Sequence, residues 1–188
     1  FQFSFINMAT SVEDFERSVM IPLQGDEFDE IREEYTAMLR RSQAVAATIA
    51  TGLSVKTPYV AVNVGEGGSG GAIAIGTGDK VFMLENAIYS VIAPESCASI
   101  LWKDNKFKAQ AATVLKLTAR DMASLNVIDK IIDEPAGGAH KDWQTTMEMV
   151  GKTVADAIKE LQEIPIEELV PNRVKKFLSM TRDVEIFQ

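Results

Sequence analysis

The stretch YVAVNVGEGGSGGAIAIG, residues 59–76, decides the fold. Its first six residues are nearly all apolar and rich in β-branched side chains, the composition of a strand buried on both faces, as in a parallel sheet. Glycines then crowd the chain at Gly65, Gly67, Gly68, Gly70 and Gly71, with Ser69 among them, and Ala72-Ile73-Ala74 can start a helix. Glycine permits positive φ and lets a ligand approach the backbone closely. N–H groups exposed where such a turn meets a helix stabilise an anion, either a phosphate or an oxyanion formed during a reaction. A P-loop is excluded, because no Lys-Ser or Lys-Thr pair follows the glycines. Gly65-x-Gly67-x-x-Gly70 matches a dinucleotide fingerprint by letter only. A helix precedes it, and no acidic residue closes a clear strand about 20 residues on. An oxyanion-binding turn is the better physical reading; the alternative is a tight turn in which glycine serves close packing.

Working outward, residues 30–51 carry Ile31, Tyr35, Met38, Val45 and Ile49 at spacings near one helical turn, which predicts an amphipathic helix stopped by Gly52. A helix followed by a buried strand is half of a βαβ unit, so the class is α/β. Residues 1–6 alternate and read as a strand, and the polar stretch 7–29 holds a short helix at 12–20. Downstream, 81–84, 88–92 and 127–132 read as strands, and 95–102 and 107–117 as helices. Thr118 and Asp121 form a capping box. Residues 142–161 make a long helix with Met147, Val150, Val154, Ile158 and Leu161 on one side, and the helical methionines are expected in the core. Residues 165–180 form the last helix, which Pro171 should break or kink.

The 188 residues suit one domain, 1–188, with a divergent segment at 1–29 and C-terminal helices at 142–180. The net charge of −8 disfavours nucleic acid and anionic membranes as partners. No run of 18 apolar residues occurs, so no transmembrane helix is expected. The single cysteine, Cys97, leaves no disulfide within the chain, suggests a reducing, cytoplasmic setting and reads as a buried structural thiol; no metal site is expected in this chain. The chain opens on Phe1 and reads as shortened at its N-terminus.

The run GEGGSGGAIAIGTGDKVFMLENAIYSVIAPESCASILWKD, residues 65–104, resembles the carboxyltransferase α-subunit family of bacterial acetyl-CoA carboxylase. So does IIDEPAGGAHKD, residues 131–142, and the helical tail to Met180. The resemblance implies a ClpP/crotonase-like spiral of ββα units with a C-terminal helical region. It implies transfer of a carboxyl group from carboxybiotin, borne by a separate biotin carboxyl carrier protein, to acetyl-CoA, giving malonyl-CoA for fatty acid synthesis. A zinc-ribbon β subunit with four cysteine ligands would bind the acyl-CoA in an α2β2 assembly. In the matching turn, the amides around Gly67, Gly68, Ser69, Gly70 and Gly71 would meet the developing negative charge. His140 would contact the carboxybiotin site or the subunit interface, or else merely satisfy its loop. Lys103 would meet an anionic ligand, or else only complement a helix dipole.

The family's DTPGA-like turn is replaced here by Phe5-Ile6-Asn7-Met8-Ala9-Thr10-Ser11, and a large N-terminal portion is missing. A non-catalytic or regulatory paralogue, or another acyl-CoA carboxyltransferase or decarboxylase of the superfamily, is therefore the alternative. Ser69 could be a nucleophile only with a base in reach, and the sole histidine is His140.

Overall fold

The structure, a computed structural model, describes residues 29–180; the strand expected at 1–6 and the helix at 12–20 lie outside the described residues. The chain divides into two compact units, 1–47 and 48–188. The described part of the first is helical. Helix α1 (Asp29–Ser54) begins there and runs past Gly52 to Ser54, three residues beyond the expected end. Of its expected apolar face, Val45 and Ile49 are half-buried, and the side chains of Ile31, Tyr35 and Met38 lie outside the described set.

The second unit is built by repetition. Strand β1 (Val60–Asn63) leads to β2 (Glu66–Gly68) and helix α2 (Ser69–Ile75). Strand β3 (Lys80–Leu84) leads in the same way to β4 (Ile88–Ser90) and α3 (Pro94–Trp102). After a 3-10 turn (Asn105–Phe107) come α4 (Lys108–Leu115), α5 (Ala119–Ser124), β5 (Lys130–Ile132), α6 (Trp143–Gln162) and α7 (Ile166–Ser179). Strands β1, β3 and β5 form one parallel sheet in that order, with Val60 opposite Lys80 and Phe82 opposite Lys130. Strand β2 pairs in parallel with β4, placing Gly67 opposite Tyr89. Each strand–strand–helix unit thus adds one strand to each sheet, and the chain advances as a spiral.

Strand β3 is the centre of the core. Val81, Phe82, Met83 and Leu84 are all buried, as a strand flanked on both edges and covered on both faces requires. Ala61, Ala119, Met122, Ile128, Ile132 and Ala157 close around it. A satellite cluster of Cys97, Ala98 and Ala111 packs with Trp102 and Phe107, whose rings stand 6.0 Å apart. Cys97 is buried there as expected.

The capping box forms at α5. Thr118 Oγ1 accepts from Asp121 N at 3.2 Å, and Asp121 Oδ2 accepts from Thr118 N at 3.3 Å. The Thr118 hydroxyl also donates to Asp121 and holds that carboxyl below the usual carboxylate range. The carboxylate's half of the box is therefore fully present above the ordinary carboxylate range and weakens as the pH falls through the lowered value, while the Thr118 half does not titrate. Thr118→Ala is expected to cost about 1 kcal/mol, read as a lowered thermal midpoint at neutral pH; an unchanged midpoint would show that tertiary packing alone sets this helix start.

Three expectations are corrected. Residues 66–68 form a strand rather than a free turn, because a ladder with β4 uses backbone groups that glycine supplies as well as any residue. Helix α7 runs uninterrupted through Pro171. The missing Pro171 N–H costs one bond to the preceding turn, but Leu169 and Arg173 on either side are 2% and 1% exposed, and their tertiary contacts hold the helix. Met147 is not core: it is 65% exposed on α6, one turn from Trp143, also 65% exposed. Among the described residues, no helix is long and apolar enough to cross a membrane.

Candidate functional site

The glycines gather at the corner where β2 becomes α2. Gly68 is the N-cap residue, extended at φ −132° and ψ 149°, and makes no side-chain cap. Ser69 follows at φ +58°, a left-handed conformation rare outside glycine. The chain therefore turns sharply, and the first N–H groups of α2 have no acceptor within the helix. Gly68, Ser69 and Gly71 are exposed and Gly70 is half-buried. A Cβ on Gly68 or Gly71 would meet no atom within 4 Å, so their backbone is open to an approaching group.

Gly67 is the opposite case. A Cβ there would stand 2.8 Å from Asn63 Nδ2 and 2.8 Å from Tyr89 Cδ2. Asn63 donates from Nδ2 to the Ile88 carbonyl at 2.7 Å and accepts from Gly65 N at 3.2 Å, tying the corner to β4. Two phenols brace α2 from below. Tyr89 donates to the Ala72 carbonyl at 3.0 Å, and Tyr59 donates to the Ile75 carbonyl at 2.5 Å. Burial, and secondarily the nearby Tyr59, push the Tyr89 phenol above its ordinary range, so it stays protonated and a donor.

A hollow of about 310 Å³ opens beside the corner, lined by Val62, Asn63, Gly65, Glu66, Gly67 and Tyr89 among others. Its polar side chains are an amide, a carboxylate and a phenol. Among the described residues, no histidine, lysine or serine lines it. Of the five corner residues, Gly67 is among its lining, and Gly68, Ser69, Gly70 and Gly71 are not.

The other expected site residues stand elsewhere. His140 is exposed and lines a separate hollow with Glu85, Asn86, Glu134 and the loop from Pro135 to Gly138. Gly137 and Gly138 both have φ +94° there. Glu134 fixes the loop by accepting from Asn86 N at 2.9 Å and Ala139 N at 2.8 Å. Burial would raise the Glu134 carboxyl, but these amides outweigh it and hold it below the usual range. Lys103 is the exposed, left-handed C-cap of α3 and lines neither hollow. The structure thus keeps the five glycine-corner residues at one corner, with Gly67 alone of them lining the hollow beside it, and places His140 and Lys103 outside that hollow. Asn63, Tyr59 and Tyr89 were not singled out from sequence. Asn63 could have been: it is the one polar residue in an apolar strand, just before the glycines.

The acetyl co-enzyme A carboxylase carboxyltransferase-like family matches residues 33–181. The acetyl-coenzyme A carboxylase carboxyl transferase subunit alpha of Gluconacetobacter diazotrophicus is 52% identical over 143 residues, covering 76% of this chain and 45% of that protein. That of Geobacter metallireducens is 47% identical over 145 residues, covering 77% and 46%. The chain spans a little under half the length of these curated relatives. Among solved structures, the Pseudomonas malonate decarboxylase MdcD-MdcE hetero-dimer aligns with a TM-score of 0.56 at 16% identity, covering 73% of this chain and 57% of that one. Transcarboxylase 12S aligns with a TM-score of 0.56 at 15% identity, covering 72% and 25%. These likenesses show the fold, a crotonase-like α/β spiral. With about half of the aligned residues identical and the matched segment containing the whole glycine corner, the chain belongs to the acetyl co-enzyme A carboxylase carboxyltransferase-like family.

Proposed function

We propose that this chain is the α-type part of an acetyl-CoA carboxyltransferase, acting in fatty acid synthesis in the cytoplasm. The observation that carries the reading is the family match over 33–181, which takes in the glycine corner, the His140 loop and both C-terminal helices. Carboxybiotin, borne on a biotin carboxyl carrier protein, supplies the carboxyl group when bound, and acetyl-CoA accepts it to give malonyl-CoA. The open faces of Gly68 and Gly71 suit the close approach of such a group.

The chain's own contribution is electrostatic. Amides around Gly67, Gly68, Ser69, Gly70 and Gly71 donate to the negative charge that develops on an oxygen in the transition state. One well-aimed donor is worth about 10²–10³ in rate. His140 and Lys103, exposed outside the hollow, are assigned to the carboxybiotin arm and its surroundings. A zinc-ribbon β subunit binds the acyl-CoA, and the exposed Trp143 and Met147 give α6 an apolar patch suited to a protein partner.

A second reading is a non-catalytic or regulatory paralogue that keeps fold and interface. It is favoured by the altered residues 5–11. Co-expression with a zinc-ribbon β-type partner separates the two. The expected result is a hetero-oligomer near α2β2 that forms malonyl-CoA from acetyl-CoA and carboxylated carrier. A homo-oligomer that ignores the β partner would overturn the carboxyltransferase reading and support the paralogue.

A further inference from the structure

The geometry points to Tyr89 as a positioning residue that sets the shape of the glycine corner through two separate contacts, its ring against Gly67 and its hydroxyl on Ala72. Tyr89 itself has little freedom. It lies on β4 in register with Gly67, and its backbone N–H donates to the Leu117 carbonyl at 3.0 Å. From that fixed base the ring fills the space that a Gly67 side chain would need. Asn63 fills it from the other side, so Gly67 is held between an amide and an aromatic edge. The hydroxyl then reaches across to α2 and donates to the Ala72 carbonyl. That carbonyl also accepts from Gly76 N at 2.8 Å, so one oxygen closes the helix and anchors it to β4.

Helix α2 needs such an anchor. It has seven residues, no side-chain N-cap and no acidic residue in its first turn. A helix this short is marginal in water without tertiary support. Tyr59 supplies a comparable bond at the other end, to the Ile75 carbonyl, but its ring stands near Gly52 rather than Gly67. The two tyrosines therefore form a natural pair for comparison. Both brace α2, and only Tyr89 also touches the corner.

In its catalytic arm the inference rests on the carboxyltransferase reading; its exchange arm does not. Tyr89→Phe and Tyr59→Phe each remove one hydroxyl and keep the ring, so the pair compares the bond to Ala72, next to the corner, with the bond to Ile75 at the far end of α2. In the full chain assembled with its β-type partner, Tyr89→Phe is expected to lower kcat about tenfold with KM for both substrates unchanged, while Tyr59→Phe stays within about twofold. In the same samples, amide hydrogen exchange at residues 67–72 is expected to quicken about five- to tenfold in Tyr89→Phe and not in Tyr59→Phe. Equal losses in both variants would reduce Tyr89 to a general brace and overturn the inference, as would a change in KM alone or unchanged exchange in Tyr89→Phe. Absence of turnover in the unaltered complex would overturn the carboxyltransferase reading instead, and the exchange comparison would then decide the inference alone.

Discussion

Arg173→Met is expected to destabilise the folded chain by about 3–5 kcal/mol, the cost of breaking a buried ion pair by removing one partner. The arginine side chain is fully buried, and that of Asp79 is 5% exposed. Every guanidinium N–H is used. Nε and one terminal nitrogen donate to the two oxygens of Asp79 at 2.8 and 2.7 Å. The remaining donors reach the carbonyls of Gly52 and Val55 at 2.8 Å each and of Thr57 at 3.1 Å. Five donors meet five acceptors, the full capacity of the group. One residue of α7 thereby fastens the end of α1, the approach to β1 and the start of β3. Asp79 extends the joint by accepting from Tyr59 N at 2.8 Å. Methionine would leave a carboxylate and three carbonyls in the core without their donors. Total stability of a domain is about 5–15 kcal/mol, so the loss is a large share of it.

Arg173→Lys should recover little, since one ammonium cannot serve a carboxylate fork and three carbonyls at once. Arg173→Met combined with Asp79→Asn should recover part of the loss, because the buried charge is gone while Tyr59 N can keep its acceptor. Urea unfolding of the three variants measures this. A midpoint for Arg173→Met equivalent to less than about 1 kcal/mol of loss would mean that water replaces the guanidinium, and that the joint is not what holds α7. Lys176, one turn on, would share the revised role: it donates to Asp129 at 2.5 Å and to the Asp79 carbonyl at 3.1 Å.

This joint was illegible in the sequence for a physical reason. Arg173 and Lys176 lie in a helix rich in charge, where a basic side chain ordinarily points to water. Its partners are distant in the chain and mostly backbone carbonyls, which carry no letter at all. Local signals fared better. The apolar run at 60–63, the Thr118–Asp121 box and the seam of α6 from Val150 to Leu161 were all readable, because propensity and period act within one turn or one strand. Strand β2 was missed because glycine has low strand propensity, and its pairing is dictated by the strand before it and the strand beside it. At the site, the glycine corner was legible as composition. The split between tightly held Gly67 and open Gly68 was not, since it depends on where Asn63 and Tyr89 fall in space.

That split yields the second large effect. Gly68→Val is expected to lower carboxyl transfer by at least about 100-fold, the worth of one oxyanion donor, and to leave the unfolding midpoint nearly unchanged. Gly68 sits at φ −132° and ψ 149°, where valine is at home, and no atom lies within 4 Å of its missing Cβ. The new Cβ therefore enters open space at the exposed corner, where the side chain would bar an approaching group. Gly67→Ala is the contrasting case. Its Cβ would press on Asn63 and Tyr89 at 2.8 Å, so stability and turnover should fall together as the corner shifts. Measured side by side in the β-type complex, the pair distinguishes a blocked site from a broken one. If the unaltered complex is active and Gly68→Val turns over nearly as fast, the developing charge is not stabilised at this corner, and its amides are structural.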